Sequence, residues 1–250
     1  MIKAKISGNE IESRSKAILI SNDVGDYFLS SENFSKYQGL CFNEEMEIYK
    51  SIDRISLKDS KVIESVFRPN SIEVNSTQGS QKFHMFDEGL LYENLSEQPS
   101  EFVFDARKLF DMASFGRYYE ITREGNSIIV KFSKKIDISE NSTDEYELYT
   151  VIMGDNLEIQ EIKTWNNAVY EFDALRNDVA NRYVYTAFSS KCKRVAIASS
   201  KDKEKAIKKA NKLLDVSILS KEFESKKINC SKKEIQNAYT LSLNAIANLS

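Results

Sequence analysis

Apolar and polar residues alternate over much of the first 165 positions, and this period of two is typical of β-strands. The alternation is clearest in the segments 72–74, 128–132, 145–148 and 157–160. Because successive side chains of a strand point to opposite faces, each segment buries one face and leaves the other in water. The pattern therefore predicts strands that each have one buried and one solvated face.

Short turns separate these strands. Glycine stands beside asparagine, aspartate or glutamine in the segments 77–79, 124–126 and 154–156. Glycine and asparagine tolerate the positive φ angles that tight hairpins require. Half-solvated strands joined by hairpins form antiparallel sheets, and many such strands in one chain favour a sandwich. We therefore expect a mainly β chain, with a large antiparallel β-sandwich over residues 1–199.

The period changes to that of a helix after about Ser199, with apolar residues on one face and lysines on another. The apolar residues are Ala206, Ile207, Ala210, Leu213 and Leu214, and the lysines are Lys201, Lys205, Lys208 and Lys212. We interpret the lysines as the solvated face of an amphipathic helix, because Asp202 and Glu204 dilute them and no aromatic residue among them offers base stacking. The alternative is a stripe that binds phosphate or RNA.

The last segment predicts another helix. Ser231 and Glu234 have the spacing of a capping box, in which each side chain bonds the other residue's free backbone N–H. Apolar residues then point nearly all round the helix from Leu241 to Leu249. Because a helix that is apolar on every side is buried on every side, we expect something beyond Ser250 to pack on it. The alternative is a terminal helix lying across the sandwich.

The composition is ordinary for a globular chain, with 41% hydrophobic residues, 29% charged residues and a net charge of −3. No global basic field attracts nucleic acid, and no apolar run reaches the roughly 20 residues of a membrane helix. Cys41, Cys192 and Cys230 lie far apart, which argues against disulfides or a zinc site and fits a reducing cytoplasm. We expect no metal and no cofactor, and we place the single histidine, His84, on a strand.

Two further segments share a set of residues with a known family. The first set is Asn22, Gly25, Tyr27, Lys36, Tyr37, Gly39 and Leu40, and the second is Asp105, Arg107, Asp111, Gly116, Arg117 and Tyr119. They resemble the stretches T-N-G-x-G-G-Y, T-R-x-Y-H-G-L-L and D-x-R…D…G-R-x-Y of glycogen-debranching enzymes of the amylo-α-1,6-glucosidase type. Three residues depart from the family pattern: Lys36 replaces an arginine, Asp26 replaces a second glycine, and Gln38 replaces a histidine. The Gln38 side chain can form hydrogen bonds, but unlike histidine it does not titrate near neutral pH.

The resemblance implies both a fold and a function. The N-terminal part of such enzymes is a large antiparallel supersandwich, followed by connecting helices and an (α/α)6 barrel that carries the catalytic carboxylates. The segment AYTLSLNAIANL is similar to the first helix of that barrel, which implies that residues 200–250 are a helical linker and the first barrel helix. The implied partners of this chain are the barrel of the same polypeptide and an α-glucan oligosaccharide.

We assign no catalytic residue within the chain. Paired carboxylates occur at 44–45, 87–88 and 144–145, but adjacent strand residues point to opposite faces and cannot flank one glycosidic bond. These pairs are typical of turns and strand ends. Asp105, Arg107 and Arg117 are better explained as an internal ion-pair network, because the guanidinium fork suits a carboxylate.

Sugar binding is a separate expectation, and its candidate residues are Asn22, Lys36, Tyr37, Gln38 and Trp165. Trp165, with Asn166 and Asn167 beside it, could offer a pyranose an apolar ring face and hydrogen-bonding amides, or it could cover the sandwich edge. The leading hypothesis is a non-catalytic sandwich of a debranching-like glucosidase. The alternatives are a stand-alone sandwich that binds carbohydrate or protein, and a nucleic-acid module that uses the lysines.

Overall fold

The structure is a computed structural model that describes residues 4–7, 10–13, 17–31, 34–68, 71–137 and 144–215, and residues 232, 235, 239 and 242. The strands are β1 (Ala4–Ser7), β2 (Glu10–Ser13), β3 (Ala17–Ser21), β4 (Tyr27–Ser31), β5 (Gly39–Glu44), β6 (Glu47–Leu57), β7 (Val62–Arg68), β8 (Ser71–Ser76), β9 (Gly79–Phe86), β10 (Gly89–Asn94), β11 (Ser100–Lys108), β12 (Arg117–Glu124), β13 (Ser127–Lys134), β14 (Tyr146–Met153), β15 (Ile159–Val169), β16 (Asn181–Ser190) and β17 (Arg194–Ser200). The helices are α1 (Glu171–Ala174) and α2 (Lys203–Leu214).

The described strands form two antiparallel sheets that pack as a sandwich, which confirms the mainly β prediction. One sheet has the order β1-β2-β7-β8-β9-β10-β17-β14-β13-β12, and the other has the order β15-β16-β11-β6-β5-β4-β3. Most neighbours in space are neighbours in sequence, because short hairpins join them. The turns at 77–79, 124–126 and 154–156 lie where the sequence predicts them.

The main core lies between the two sheets. Phe28 of one sheet stacks on Phe83 of the other, with ring centroids 4.7 Å apart. The seven-stranded sheet also contributes Leu40, Ile52, Phe102, Phe104 and Phe188, and the ten-stranded sheet contributes Ile72, Leu90, Tyr92, Val130 and Ile197. These residues occupy alternate positions of their strands, so the period of two in the sequence corresponds to the core face of each sheet.

Helix α2 covers the outer face of the ten-stranded sheet, and Asp202 caps its N-terminus by accepting from the Lys205 N–H at 2.7 Å. Its apolar face is the predicted one. Ala206, Ala210 and Leu213 are buried, with Ile207 and Leu214 packed against the same surface. Because α2 covers Ile129 and Val151, strands β13 and β14 are apolar on both faces.

Of the remaining predictions, the one about His84 falls on described residues and the one about the last helix does not. His84 lies on β9 as expected, and its Nε2 is 3.0 Å from the Glu93 carboxylate. The capping box at Ser231 and Glu234 and the apolar run from Leu241 to Leu249 lie outside the described residues. No helix in the described part of the chain is long and apolar enough to cross a membrane.

Candidate functional site

Three connections meet at one end of the sandwich: residues 34–38, 109–116 and 170–180, which we call the loop end. The Lys36 N–H donates to the Asp173 carboxylate at 2.7 Å, and the Phe172 N–H donates to the Phe34 carbonyl at 3.1 Å. The Tyr37 ring meets the Phe110 ring edge-on, with centroids 6.4 Å apart. Side chains and backbone therefore join loops that lie far apart in the sequence.

A buried carboxylate underlies these loops. Asp105 accepts the Nε of Arg107 at 3.0 Å, the Nη2 of Arg117 at 2.7 Å and the Nε of Arg182 at 2.6 Å. The Nζ of Lys50 lies 3.5 Å from the same carboxylate. Three strands of one sheet and one strand of the other thus contribute cations to a single anion, which confirms the predicted ion-pair network of Asp105, Arg107 and Arg117.

The buried charges extend from Asp105 to a second carboxylate. Lys50 donates to Asp53 at 2.6 Å and to the Lys36 carbonyl at 3.2 Å. The Tyr170 hydroxyl donates to Asp53 at 2.9 Å, and the Arg107 Nη2 donates to the Lys36 carbonyl at 2.6 Å. We call this set the Asp105 network, and its members are Lys36, Lys50, Asp53, Asp105, Arg107, Arg117, Tyr170 and Arg182.

The electrostatics of the network follow from its burial and its cations. Burial alone raises the pKa of the Asp105 carboxyl, but Arg182, Arg107 and the other nearby cations outweigh burial and hold that pKa well below its ordinary range. Burial and the neighbouring carboxylates raise the pKa of Tyr170, so its hydroxyl stays protonated and can donate to Asp53. Asp105 is therefore ionised at neutral pH, and its oxygens accept from three guanidinium groups.

Backbone irregularities place these side chains. The register of β11 against β6 shifts between Phe104 and Arg107, and such an irregularity changes the direction of neighbouring side chains. Gly39 has φ +101°, and a Cβ there would lie 1.8 Å from the Ile52 carbonyl oxygen. Glycine at this position lets the chain that leaves the 34–38 loop approach β6 closely.

The Asn22 turn has a structural role of its own. The Asn22 side-chain oxygen accepts the N–H groups of Asp26 at 2.8 Å and Val24 at 3.2 Å, while its amide donates to the Phe86 carbonyl at 2.7 Å. Asp26 in turn accepts the Asn43 N–H at 2.7 Å. Both polar atoms of the Asn22 side chain are thus bonded within the protein, and they join this turn to β9 rather than to the loop end.

The other candidates in the first segment do lie together. The Lys36 ammonium pairs with Asp178 at 2.5 Å, and this hydrogen bond raises the pKa of Lys36. Gln38 accepts the Ser35 N–H at 3.3 Å and donates to Asp53 at 3.1 Å. Lys36 and Gln38 are buried, and Tyr37 between them is half-buried. These three residues therefore bridge the loop end and the Asp105 network.

Trp165 lies on the edge strand β15, opposite Tyr185 of β16. Its ring is tilted against Tyr185 at 5.2 Å and against Tyr119 at 5.5 Å, and the Arg117 guanidinium lies 5.1 Å from its centroid. The indole is nevertheless 41% exposed. Trp165 therefore covers the end of the core and also faces solvent. This position is compatible with both roles considered from the sequence, a cover for the sandwich edge and a sugar-binding ring.

Sequence reasoning missed four members of the network: Lys50, Asp53, Tyr170 and Arg182. A signal existed for two of them, because Lys50 and Asp53 carry opposite charges and lie in β6 between the apolar residues Tyr49 and Ile55. A charge inside a buried strand requires a partner of opposite sign. Arg182 and Tyr170 flank the 170–180 loop, and only the fold brings them to Asp105.

The structure also bears on metal binding. Among the residues that the structure describes, no group of three or more histidine, cysteine, aspartate or glutamate side chains could hold a metal ion. Comparison with known proteins gives no match to a family model, a curated protein or a solved structure.

Proposed function

We propose that the chain is a non-catalytic β-sandwich domain of a cytoplasmic, glycogen-debranching-like α-1,6-glucosidase, and that it packs on a helical catalytic barrel of the same polypeptide. One observation carries the proposal: the two segments that resemble that family meet in space. The Lys36 carbonyl of the first segment accepts from Arg107 of the second, and Gly39 lets the first segment approach the network closely. Unrelated matches between Asn22 and Tyr119 have no reason to converge in this way.

The bonding of Asp105 supports a structural role. A glycosidase acid must hold a proton near neutral pH, which requires a raised pKa, and its partner carboxylate must reach the sugar. Asp105 is fully buried, its pKa is lowered, and its oxygens already accept three guanidinium groups. By this reasoning the carboxylates that cleave glucan belong to the barrel.

The loop end is the surface proposed to meet the barrel. It exposes large apolar side chains, and those of Phe110 and Leu175 are 78% and 82% exposed. Phe115, Phe172 and Val179 extend the same surface. Large apolar side chains that are concentrated on exposed loops are typical of interaction sites, and the Asp105 network beneath them holds these loops in a fixed arrangement.

Activity measurements test the non-catalytic assignment. The purified 250-residue chain is incubated with a branched limit dextrin, and released glucose is measured. We expect no glucose from this chain, and we expect release from the native gene product purified from its own cells. Glucose release by the 250-residue chain alone would contradict the proposal.

Paired substitutions test the docking surface in the native product. Phe110→Asp combined with Leu175→Asp should lower glucose release and separate the thermal unfolding of the two domains, because the change buries charge in the proposed interface. Met46→Asp is the matched control, because Met46 is 99% exposed in the hairpin between β5 and β6. Equal behaviour of the two variants would show that the loop end is not the docking face.

A stand-alone carbohydrate-binding sandwich is the second candidate. The exposure of Trp165, with its ring held by neighbouring side chains, favours this function. The two candidates differ in the length of the native gene product, and both allow a sugar to bind near Trp165.

A further inference from the structure

The end of the seven-stranded sheet has a strip of core-side face that the other sheet leaves uncovered. Trp165 lies opposite the core residue Tyr185, so the residues two and four positions along β15 share that face. Tyr183 occupies the same face of β16, opposite Asn167. We call this strip the Trp165 surface, and its members are Trp165, Asn167, Val169 and Tyr183.

The two aromatic rings of this surface, those of Trp165 and Tyr183, are exposed, and one arginine contacts both residues. Tyr183 is 57% exposed, compared with 41% for Trp165. Arg117 lies against the Trp165 ring and donates to the Tyr183 backbone carbonyl at 2.7 Å, and Asp105 fixes the same guanidinium. Because Arg117 is itself buried, the Trp165 ring and the Tyr183 backbone are positioned before any ligand arrives.

The polar groups of the surface are free to bond a ligand. Neither the Asn167 amide nor the Tyr183 hydroxyl makes a side-chain hydrogen bond to another residue in the described part of the chain. Asn166, by contrast, points to the opposite face and donates to the Thr186 hydroxyl at 2.8 Å. Of the two asparagines beside Trp165, therefore, only Asn167 is positioned to act with the indole.

The charge of the surface selects the class of ligand. None of its four side chains is charged, and the neighbouring Lys163 is neutralised by Glu161 at 2.6 Å. A ligand suited to this surface is uncharged, has an apolar face for the rings and has hydroxyls for an amide and a phenol. We propose that the Trp165 surface binds a neutral oligosaccharide, and the choice of an α-1,4-linked glucan as that ligand rests on the proposed function.

The single tryptophan of the chain makes the test direct, because all tryptophan fluorescence reports on this surface. The purified chain is titrated with maltoheptaose and, separately, with a β-1,4-linked glucose oligosaccharide. We expect a saturable change with maltoheptaose at about millimolar concentration, because a small open surface supports affinity of that order. Tyr183→Ala should weaken the binding about tenfold, equivalent to about 1.4 kcal/mol.

Two controls separate this surface from general effects. Phe172→Ala changes an exposed aromatic residue of the loop end and should leave the titration unchanged. Calorimetry with Trp165→Phe, which preserves an aromatic ring in the packed site, should show weakened binding by a method that does not need the indole. Thermal unfolding of each variant shows whether it is folded.

Three results would overturn the inference. One is the absence of a saturable response to either sugar at about 10 mM, well above the expected affinity. Another is a response that Tyr183→Ala leaves unchanged. The third is a fluorescence change that depends on protein concentration without sugar, which identifies a protein contact. Binding of the β-linked sugar alone would overturn the α-glucan choice, whereas failure of the docking proposal appears separately in the glucose-release experiments.

Discussion

The Asp105 network and the lysines of α2 are both clusters of charge, but the fold uses them differently. In the network, three arginines and Lys50 surround a carboxylate that has no exposed surface. Along α2 and just before it, four lysines each have their own carboxylate on a neighbouring element. We call these residues the α2 lysine row, and the pairs are Lys201–Glu45, Lys203–Glu124, Lys205–Glu44 and Lys212–Glu88.

The comparison shows that burial, rather than the number of charges, determines what an ion pair contributes. Water and salt screen the partly exposed pairs of the lysine row, whose strength is correspondingly small. Removing one partner from a buried group leaves an uncompensated charge in a poorly solvated site, which is far more costly. The Asp105 network should therefore determine the arrangement of the loop end, while the lysine row adjusts the contact between α2 and the sheet.

The largest expected effect is that of Asp105→Asn. The substitution keeps the shape of the side chain but leaves Arg107, Arg117 and Arg182 without their anion, so the free energy of unfolding should fall by about 3–5 kcal/mol. Denaturant unfolding measures the change. Glu124→Gln, which removes the partner of Lys203, is the control. A similar loss of unfolding free energy in both variants would contradict the difference proposed between the two clusters.

Gly39→Ala should have the next largest effect. Its Cβ would lie 1.8 Å from the Ile52 carbonyl, so the chain must shift beside the network. Gly125→Ala is the matched control, since Gly125 also has positive φ but no atom lies within 4 Å of the added Cβ. We expect about 1 kcal/mol of strain at Gly125 and about 2 kcal/mol more at Gly39. Equal losses in unfolding free energy would show that the close approach is unimportant.

Acid should reduce the difference between the wild type and Asp105→Asn. The folded-state pKa of Asp105 is lowered, so its contribution is fully present above the unfolded-state pKa of about 3.9 and is lost as the pH falls below it. The difference should shrink by about 1.4 kcal/mol per pH unit below about pH 4. Unfolding curves from pH 7 to pH 3 measure it, and a constant difference would mean that Asp105 is not the charged member of the network.

The smallest effect should come from Lys203→Ala in the lysine row. Its pair with Glu124 is partly exposed, so the loss should be a small fraction of that in Asp105→Asn and should vanish at about 1 M salt. The cost of Asp105→Asn should change little with salt. Unfolding at low and high salt compares the two, and a salt-independent loss in Lys203→Ala would contradict the screening argument.

The sequence predicted the regular parts of the fold well, because their signals are local. The period of two in 128–132 and the apolar face of α2 each follow from the geometry of one element. The family resemblance drew attention to Asp105, Arg107 and Arg117, and the fit of a guanidinium fork to a carboxylate predicted their ion pairs. Arg182 and Tyr170 could not be assigned in this way, because their contacts with the network depend on how β16 pairs with β11 and how β15 pairs with β16.

The candidate binding residues show the same limit. Lys36 and Gln38 have the composition of a polar binding loop, but long-range contacts to Asp178 and Asp53 engage their side chains within the protein. Tyr183 gives no local signal, since its importance arises from its position diagonally across the sheet from Trp165. Sequence pattern identifies which residues have useful chemistry, and tertiary structure determines which of them still have free polar groups.

The size of the native gene product tests the central claim most directly. The reading frame past the codon for Ser250 is sequenced, and the intact mass of the product is measured in cell extract. The account predicts a product several hundred residues longer, with repeating amphipathic helices after the sandwich. A native product that ends at Ser250 would contradict the proposal of a domain packed on its own catalytic barrel.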